Sequence, residues 1–187
     1  LRPGEVVLNR GNAAEPLSLD PHHAQSVWED NIIADLLVGL TTESADGEPL
    51  PGAAERWETS PDGKVWTFYL RDHQWSDGTK VTAADFAYGW RRILDPKTAS
   101  QYAYYLYLIK NAEAVNTGKM PLSALGADAV DDKTFVVELE HPAPYLLEYL
   151  MHYTMSPMPR HVIEDKGDAW SKPGTYVGNG PYVLAEW

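Results

Sequence analysis

Residues 51–90, PGAAERWETSPDGKVWTFYLRDHQWSDGTKVTAADFAYGW, decide how the rest of this chain is read. Pro51-Gly52 breaks the chain, and Pro61-Asp62-Gly63-Lys64 has turn chemistry, with proline presetting φ and glycine supplying a positive one. Val65–Leu70 is β-branched and aromatic between that turn and Arg71-Asp72, which predicts a strand. After a second turn at Ser76-Asp77-Gly78, Thr82-Ala83-Ala84-Asp85 reads as a helix N-cap with an acidic residue three positions on. Phe86, Trp90 and Ile93 then fall at i, i+4 and i+7, so one face of that helix is apolar. The helix should stop at Leu94, because Pro96 disfavours helical geometry at Asp95.

Outward from this stretch, residues 5–9 read as a short strand and 11–21 as a polar loop. Residues 29–37 carry helical spacing at Ile32, Ile33, Leu36 and Leu37, with acidic residues in the first turn that suit the helix dipole. Asp46-Gly47 marks a hairpin turn within 41–51. Residues 101–109 are dense in aromatics and predict a partly helical stretch, and Asn116-Thr117-Gly118 ends the helix that holds 112–115. Asp131-Asp132-Lys133 turns the chain into 134–140, where Phe135, Val137 and Leu139 alternate with Val136, Glu138 and Glu140 as in a half-buried strand. An amphipathic helix follows Pro144 over 145–151, and Pro159 starts another through Ile163. Residues 182–187 begin as a strand and stop without turn, cap or polar tail. Because a strand needs a partner, the expectation is that this is the N-terminal part of a longer protein.

With 187 residues, 44% of them apolar, seven Trp and eleven Tyr, the chain has the material for one or two packed domains. A body of this size buries roughly 70% of the surface its unfolded chain exposes. No apolar run approaches the ~20 residues needed to span a bilayer. A formal charge of −12 argues against nucleic acid and against docking on an anionic membrane, both of which call for clustered cations. The absence of cysteine removes disulfide, zinc-thiolate and thiol chemistry.

Motifs for catalysis are missing: no Gly-x-Ser-x-Gly elbow, Walker loop or His-Glu-x-x-His helix occurs. Gly178-Asn179-Gly180-Pro181 follows no strand-to-helix pattern and reads as a turn. His22 and His23 lie near Asp20, but neighbours on extended chain face opposite ways, which disfavours a shared metal. His73, His141 and His161 sit beside loop or turn signals and read as solvated. Asp131-Asp132 suits hairpin geometry; a glycosidase would instead need two carboxylates about 5–9.5 Å apart in an open cleft. No cofactor or metal is expected.

The literal order of residues carries more. Asp62-Gly63-Lys64, Trp66-Thr67-Phe68 and Leu70-Arg71, followed by Trp75-Ser76-Asp77-Gly78-Thr79, Val81-Thr82-Ala83 and Asp85-Phe86, resembles the large extracytoplasmic solute-binding proteins of peptide ABC transporters, the oligopeptide- and dipeptide-binding family. Ser18-Leu19-Asp20-Pro21-His22, Asp95-Pro96, Thr98-Ala99-Ser100, Pro142-Ala143-Pro144-Tyr145 and Asn179-Gly180-Pro181-Tyr182 extend the likeness over nearly the whole chain. It implies a mixed α/β fold of the periplasmic binding protein type II kind. Residues 1–37 and 161–187 would be partial core of the first lobe, 38–160 an inserted α+β subdomain, and the second lobe would lie outside this chain. It also implies export to the periplasm or another extracytoplasmic site. A leader would lie ahead of Leu1 in the precursor, with an anchoring cysteine if that precursor is a lipoprotein.

Ligand-facing residues follow from the same resemblance. Gln25, Ser26 and Val27 occupy the place where family members offer extended main chain to a ligand backbone, a form of strand addition. Tyr102 and His152 match cleft positions, though Tyr102 in its tyrosine cluster equally suits packing and His152 equally suits capping a helix. Trp28 stands where a small residue or proline is common, and it would narrow the cleft or stack on a ligand ring. The expected partners are a peptide or peptide-like solute and a membrane permease, with no enzymatic activity. The alternatives keep the fold and change the ligand to a murein peptide, opine, nickel complex, haem or oligosaccharide; a secreted carbohydrate-active enzyme is the reading from another class.

Overall fold

The turn at 61–64 does close a hairpin, with its first strand on the edge of the main sheet and its second strand inside it. In the computed structural model, which describes residues 6–187, β1 (Thr41–Glu43) and β2 (Pro49–Pro51) form a small two-stranded ribbon. Gly47 takes φ 83° in its turn. β3 (Ala54–Thr59), β4 (Val65–Leu70), β5 (Ala127–Ala129) and β6 (Thr134–Glu138) make an antiparallel sheet in the order β3-β4-β6-β5. Cross-strand partners on one face are apolar: Trp66 opposes Val137 and Phe68 opposes Phe135.

That face is covered by a helix whose bounds the sequence predicts. The first helix is α1 (Val27–Leu36), and the second, α2 (Ala83–Leu94), opens on the Thr82/Asp85 capping box and ends where Asp95 turns extended ahead of Pro96. Phe86, Trp90 and Ile93 on α2 are fully buried. The Trp90 ring stands edge-on to Phe135 at 4.9 Å, and its indole N–H donates to the Met155 carbonyl at 2.9 Å. Short helices α3 (Ala112–Asn116), α4 (Leu146–Tyr149) and α5 (Arg160–Lys166) follow, with a 3-10 stretch at Ala103–Leu108.

Several expectations are corrected. The helix over 145–151 is cut to α4, because Met151 and His152 close 3-10-type bonds onto Glu148 and Tyr149 before the chain extends. Of the strand at 5–9, Glu5 lies outside the described residues. Val6 and Leu8 are 92% and 79% exposed, and no bridge joins 6–9 to another described strand. No strand forms over 182–187 either: the amides of Gly180 and Tyr182 donate instead to the carbonyls of Leu36 and Asp35 at the end of α1. His73 and His161 are not simply solvated. His73 sits between the Arg71 carbonyl and Asn179, and His161 pairs with Asp77 at 2.7 Å.

Two devices tie the N-terminal strip to the rest. Asn179 clasps Val38, accepting from its amide and donating to its carbonyl, both at 2.9 Å. Gly178 and Gly180 lie against Leu36, so close that a Cβ on Gly178 would sit 2.1 Å from the Leu36 oxygen. Deeper in, Arg92 of α2 grips both carboxylate oxygens of Asp20 at 3.0 and 2.6 Å and donates to His22 Nδ1 at 2.7 Å. Trp170 Nε1 and the His22 amide complete the Asp20 shell. Burial alone would raise the Asp20 carboxyl, yet the Arg92 bond and the neighbouring charges hold it at about 2. His22 is thus buried with its Nδ1 paired, while His23 is exposed; a turn closed by the His23 and Ala24 amides on the Asp20 carbonyl separates them, in place of the extended chain expected. Among the described residues no group of three His, Cys, Asp or Glu is placed to hold a metal ion.

Candidate functional site

Ser26 caps α1, and Glu29 three residues on returns the bond, a capping box that Ser26-x-x-Glu29 advertises in the sequence. The Glu29 carboxylate does more than cap. It accepts from the amides of Leu17, Ser18, Gln25 and Ser26 at 2.9, 3.0, 2.6 and 2.9 Å, and from the Ser26 hydroxyl at 2.9 Å. Burial pushes its pKa up, but the Gln25 amide, the Ser26 hydroxyl and the other donors outweigh this and hold it below the usual range. One buried carboxylate therefore fixes the loop from Leu17 to Ser26.

This arrangement decides which main-chain groups of the predicted strip are free. The Gln25 and Ser26 amides are spent on Glu29, and the Ser26 carbonyl accepts from Glu29 and Asp30. Two groups remain available. The Val27 amide, at the first position of α1, has no partner among the described residues. The Gln25 carbonyl accepts from the Tyr102 hydroxyl at 3.3 Å and keeps its second lone pair.

Around that edge the structure gathers residues distant in sequence. Gln25, Ser26, Val27, Tyr102 and His152 line one cavity of about 150 Å³ with Asp30 and Tyr153. Trp28 is not part of that wall: it is 37% exposed and its carbonyl accepts from Asn12. Tyr153 donates to the Ala24 carbonyl at 3.1 Å, which pins the strip from behind. The His152 ring stacks on Tyr153 at 4.3 Å and on Tyr105 at 4.6 Å, and lies 5.5 Å from Tyr102. Its Nδ1 accepts from Thr154, which leaves the ring proton on Nε2. Burial lowers its pKa to about 4, so the ring is neutral near pH 7. Tyr102 and His152 thus pack in one aromatic cluster and both line the cavity, and His152 also caps the 3-10 turn Tyr153–Met155 through Nδ1.

Asp30 and Tyr153 are cavity residues that the sequence reading did not single out. The Ser26-x-x-Glu29 capping box would have placed the start of α1 at Val27 and put Asp30 one turn in; no local signal brings Tyr153 to the site.

Comparison with known proteins identifies the family. The profile of the bacterial extracellular solute-binding proteins, family 5 Middle, matches residues 48–187. The periplasmic oligopeptide-binding protein OppA of Haemophilus influenzae is 49% identical over 183 residues, 96% of this chain and 34% of that protein. The probable deoxycholate-binding periplasmic protein YgiS of Escherichia coli is 44% identical, across 98% of this chain and 35% of its own length. The crystal structure of Haemophilus influenzae OppA in complex with RPPGFSPFR superposes with a TM-score of 0.92 at 47% identity, covering 94% of this chain and 35% of that one. The chain thus spans about a third of the length of these relatives. On the profile match and the shared fold together, this chain belongs to the family 5 bacterial extracellular solute-binding proteins.

Proposed function

We propose that this chain forms one wall of the ligand cleft in the binding component of an ABC importer. That component captures oligopeptides or peptide-like solutes in the periplasm and delivers them to a membrane permease, without chemistry of its own. Residues 1–37 and 161–187 then serve as core of the first lobe, with 38–160 as an inserted subdomain; the main sheet and α2 all fall within that insert. A second lobe closes over the cleft by hinge motion.

The observation that carries this reading is a pair of main-chain groups, the unspent Val27 N–H and the Gln25 C=O with one lone pair left, on one edge of a cavity walled by aromatic rings. A donor and an acceptor on one extended edge match a peptide backbone whatever its side chains. The rings supply contact area without demanding one side-chain shape. Calorimetry on the whole two-lobed protein tests it. A tripeptide should bind in the micromolar range or tighter, and N-methylation of one backbone amide should weaken it about tenfold through loss of a cleft hydrogen bond. Absence of peptide binding, or indifference to N-methylation at every amide, would overturn the reading. Mass spectrometry of material that co-purifies would reveal a non-peptide solute such as deoxycholate, the ligand printed in the name of the Escherichia coli relative.

A further inference from the structure

Gly178-Asn179-Gly180 takes no part in the ligand cleft, yet it holds the chain's only Asn-Gly step: of six asparagines, Asn179 alone precedes a glycine. In such a step the glycine nitrogen can attack the asparagine side-chain carbonyl carbon, because no Cβ obstructs the approach and the glycine backbone turns freely. A new N–C bond closes a succinimide ring, and the side-chain nitrogen leaves as ammonia with the glycine amide proton. Water then opens the ring at one carbonyl or the other, which leaves aspartate or isoaspartate. The net exchange is water for ammonia, with no oxidant or reductant. The folded chain withholds both reacting groups. The Gly180 amide donates to the Leu36 carbonyl at 2.9 Å, so its proton is held. The Asn179 side chain is fixed by three bonds: Oδ1 accepts from the Val38 amide at 2.9 Å, and Nδ2 donates to the Val38 carbonyl at 2.9 Å and to His73 Nε2 at 3.4 Å. His73 Nδ1 faces the Arg71 carbonyl at 3.1 Å, which puts the ring proton there and frees Nε2 to accept. Ser76 holds Gly178 from the other side, its amide donating to the Gly178 carbonyl at 2.8 Å.

We propose that Asn179-Gly180 is a gated deamidation site: the folded joint holds it inert, opening of the joint releases it, and the acid it becomes then keeps the joint from closing. The last step follows from the partners. Val38 offers one donor and one acceptor, and His73 Nε2 is a second acceptor, so an amide satisfies all three. A carboxylate has no hydrogen to give and sets an oxygen against the Val38 carbonyl and His73 Nε2. Isoaspartate adds a main-chain atom where there is no room for one, since a Cβ on Gly178 or Gly180 would already lie 2.1 or 2.5 Å from the Leu36 carbonyl. The joint that Asn179 closes, between the end of α1 and the turn that holds His73 and Ser76, therefore records its own opening as an irreversible chemical change.

The test incubates the whole two-lobed protein at mildly alkaline pH, folded and in guanidinium chloride, beside a synthetic peptide of residues 174–184. Peptide-mapping mass spectrometry follows the conversion of amide to acid at each asparagine. The unfolded chain should convert Asn179 at about the rate of the peptide and well ahead of Asn111 and Asn116. The folded protein should convert it about a hundredfold more slowly, because only the open fraction reacts. Denaturant below the global transition should speed the reaction, and Gly178→Ala, which strains the joint but leaves the Asn-Gly step intact, should speed it severalfold. Conversion of the folded protein within about threefold of the peptide would overturn the gate, as would a folded rate indifferent to denaturant. An unfolded chain that converts Asn179 no faster than its other asparagines would overturn the site itself. Asn179→Asp, the aspartate product made directly, should melt several degrees below the wild type. Equal melting would overturn the claim that the product holds the joint open.

Discussion

Replacing Arg92 by Met should be among the most damaging single changes in this chain at pH 7. The guanidinium and the Asp20 carboxylate meet at 3.0 and 2.6 Å, with side chains only 15% and 9% exposed. Opposite charges about 4 Å apart are worth about 4 kcal/mol at an effective dielectric constant of about 20. Methionine keeps the apolar stem, so the loss is electrostatic, and Asp20 stays buried with only the Trp170 indole and the His22 amide as donors. Leaving one member of a buried pair uncompensated costs about 3–5 kcal/mol. The pH dependence identifies the cause. In the intact protein Asp20 lies at about 2 against 3.8 when unfolded, so its contribution is complete above pH 3.8 and is lost as pH falls through 2. In the variant, burial acts without Arg92 and the Asp20 pKa rises above 3.8, so the variant gains relative stability as pH falls from 7. His22 acts in the same direction. Burial and then Arg92 hold it at about 3, so the intact protein loses stability as pH drops below 6.5 and the unfolded histidine takes up a proton. Without the Arg92 charge that loss is smaller. The stability gap should therefore narrow between pH 7 and pH 4.5, read by urea unfolding of the whole protein through tryptophan emission. A cost under about 1 kcal/mol, typical of an exposed pair, or a gap that does not change with pH, would refute the reasoning. Asp20→Asn/Arg92→Met should recover part of the loss, since an asparagine oxygen still accepts from Trp170.

Glu29→Gln should cost on the order of 2–3 kcal/mol, because an amide offers one acceptor oxygen where the carboxylate serves five donors, and its NH2 then faces N–H groups. With the folded pKa depressed, the wild-type contribution is full above 4.5 and declines as pH falls below it, so acid unfolding of the variant should lack that component. Gly178→Ala should lower the melting temperature by several degrees, since its Cβ would lie 2.1 Å from the Leu36 carbonyl oxygen and the backbone must move; an unchanged melting temperature would show that the contact yields freely.

What could be read from the sequence and what could not divide along one physical line, the distance over which the determining contact acts. α2 was legible because its cap, its apolar stripe and its proline stop all lie within 15 residues, and β4 and β6 because their alternation is local. The helix behind Pro144 failed that test. Its propensity runs on, but Tyr153 must reach back to the Ala24 carbonyl, and the chain leaves α-helical geometry to do so. Asp20 and Arg92, 72 residues apart, give no local hint of each other. The cleft edge is the instructive case. Resemblance pointed to Gln25, Ser26 and Val27 as a unit, yet the Glu29 carboxylate has already taken two of their amides, so the three residues are not equivalent: Val27 can donate to a ligand and Gln25 can accept. That distinction was available in the Ser26-x-x-Glu29 spacing, because a capping box fixes which amide begins the helix. The small cavity was not available in any spacing, since Tyr102, His152 and Tyr153 reach Gln25, Ser26 and Val27 only once the chain has folded. On the proposed peptide reading, the main-chain groups offered to a ligand are therefore set by a four-residue motif, whereas the rings around them are brought together by tertiary packing.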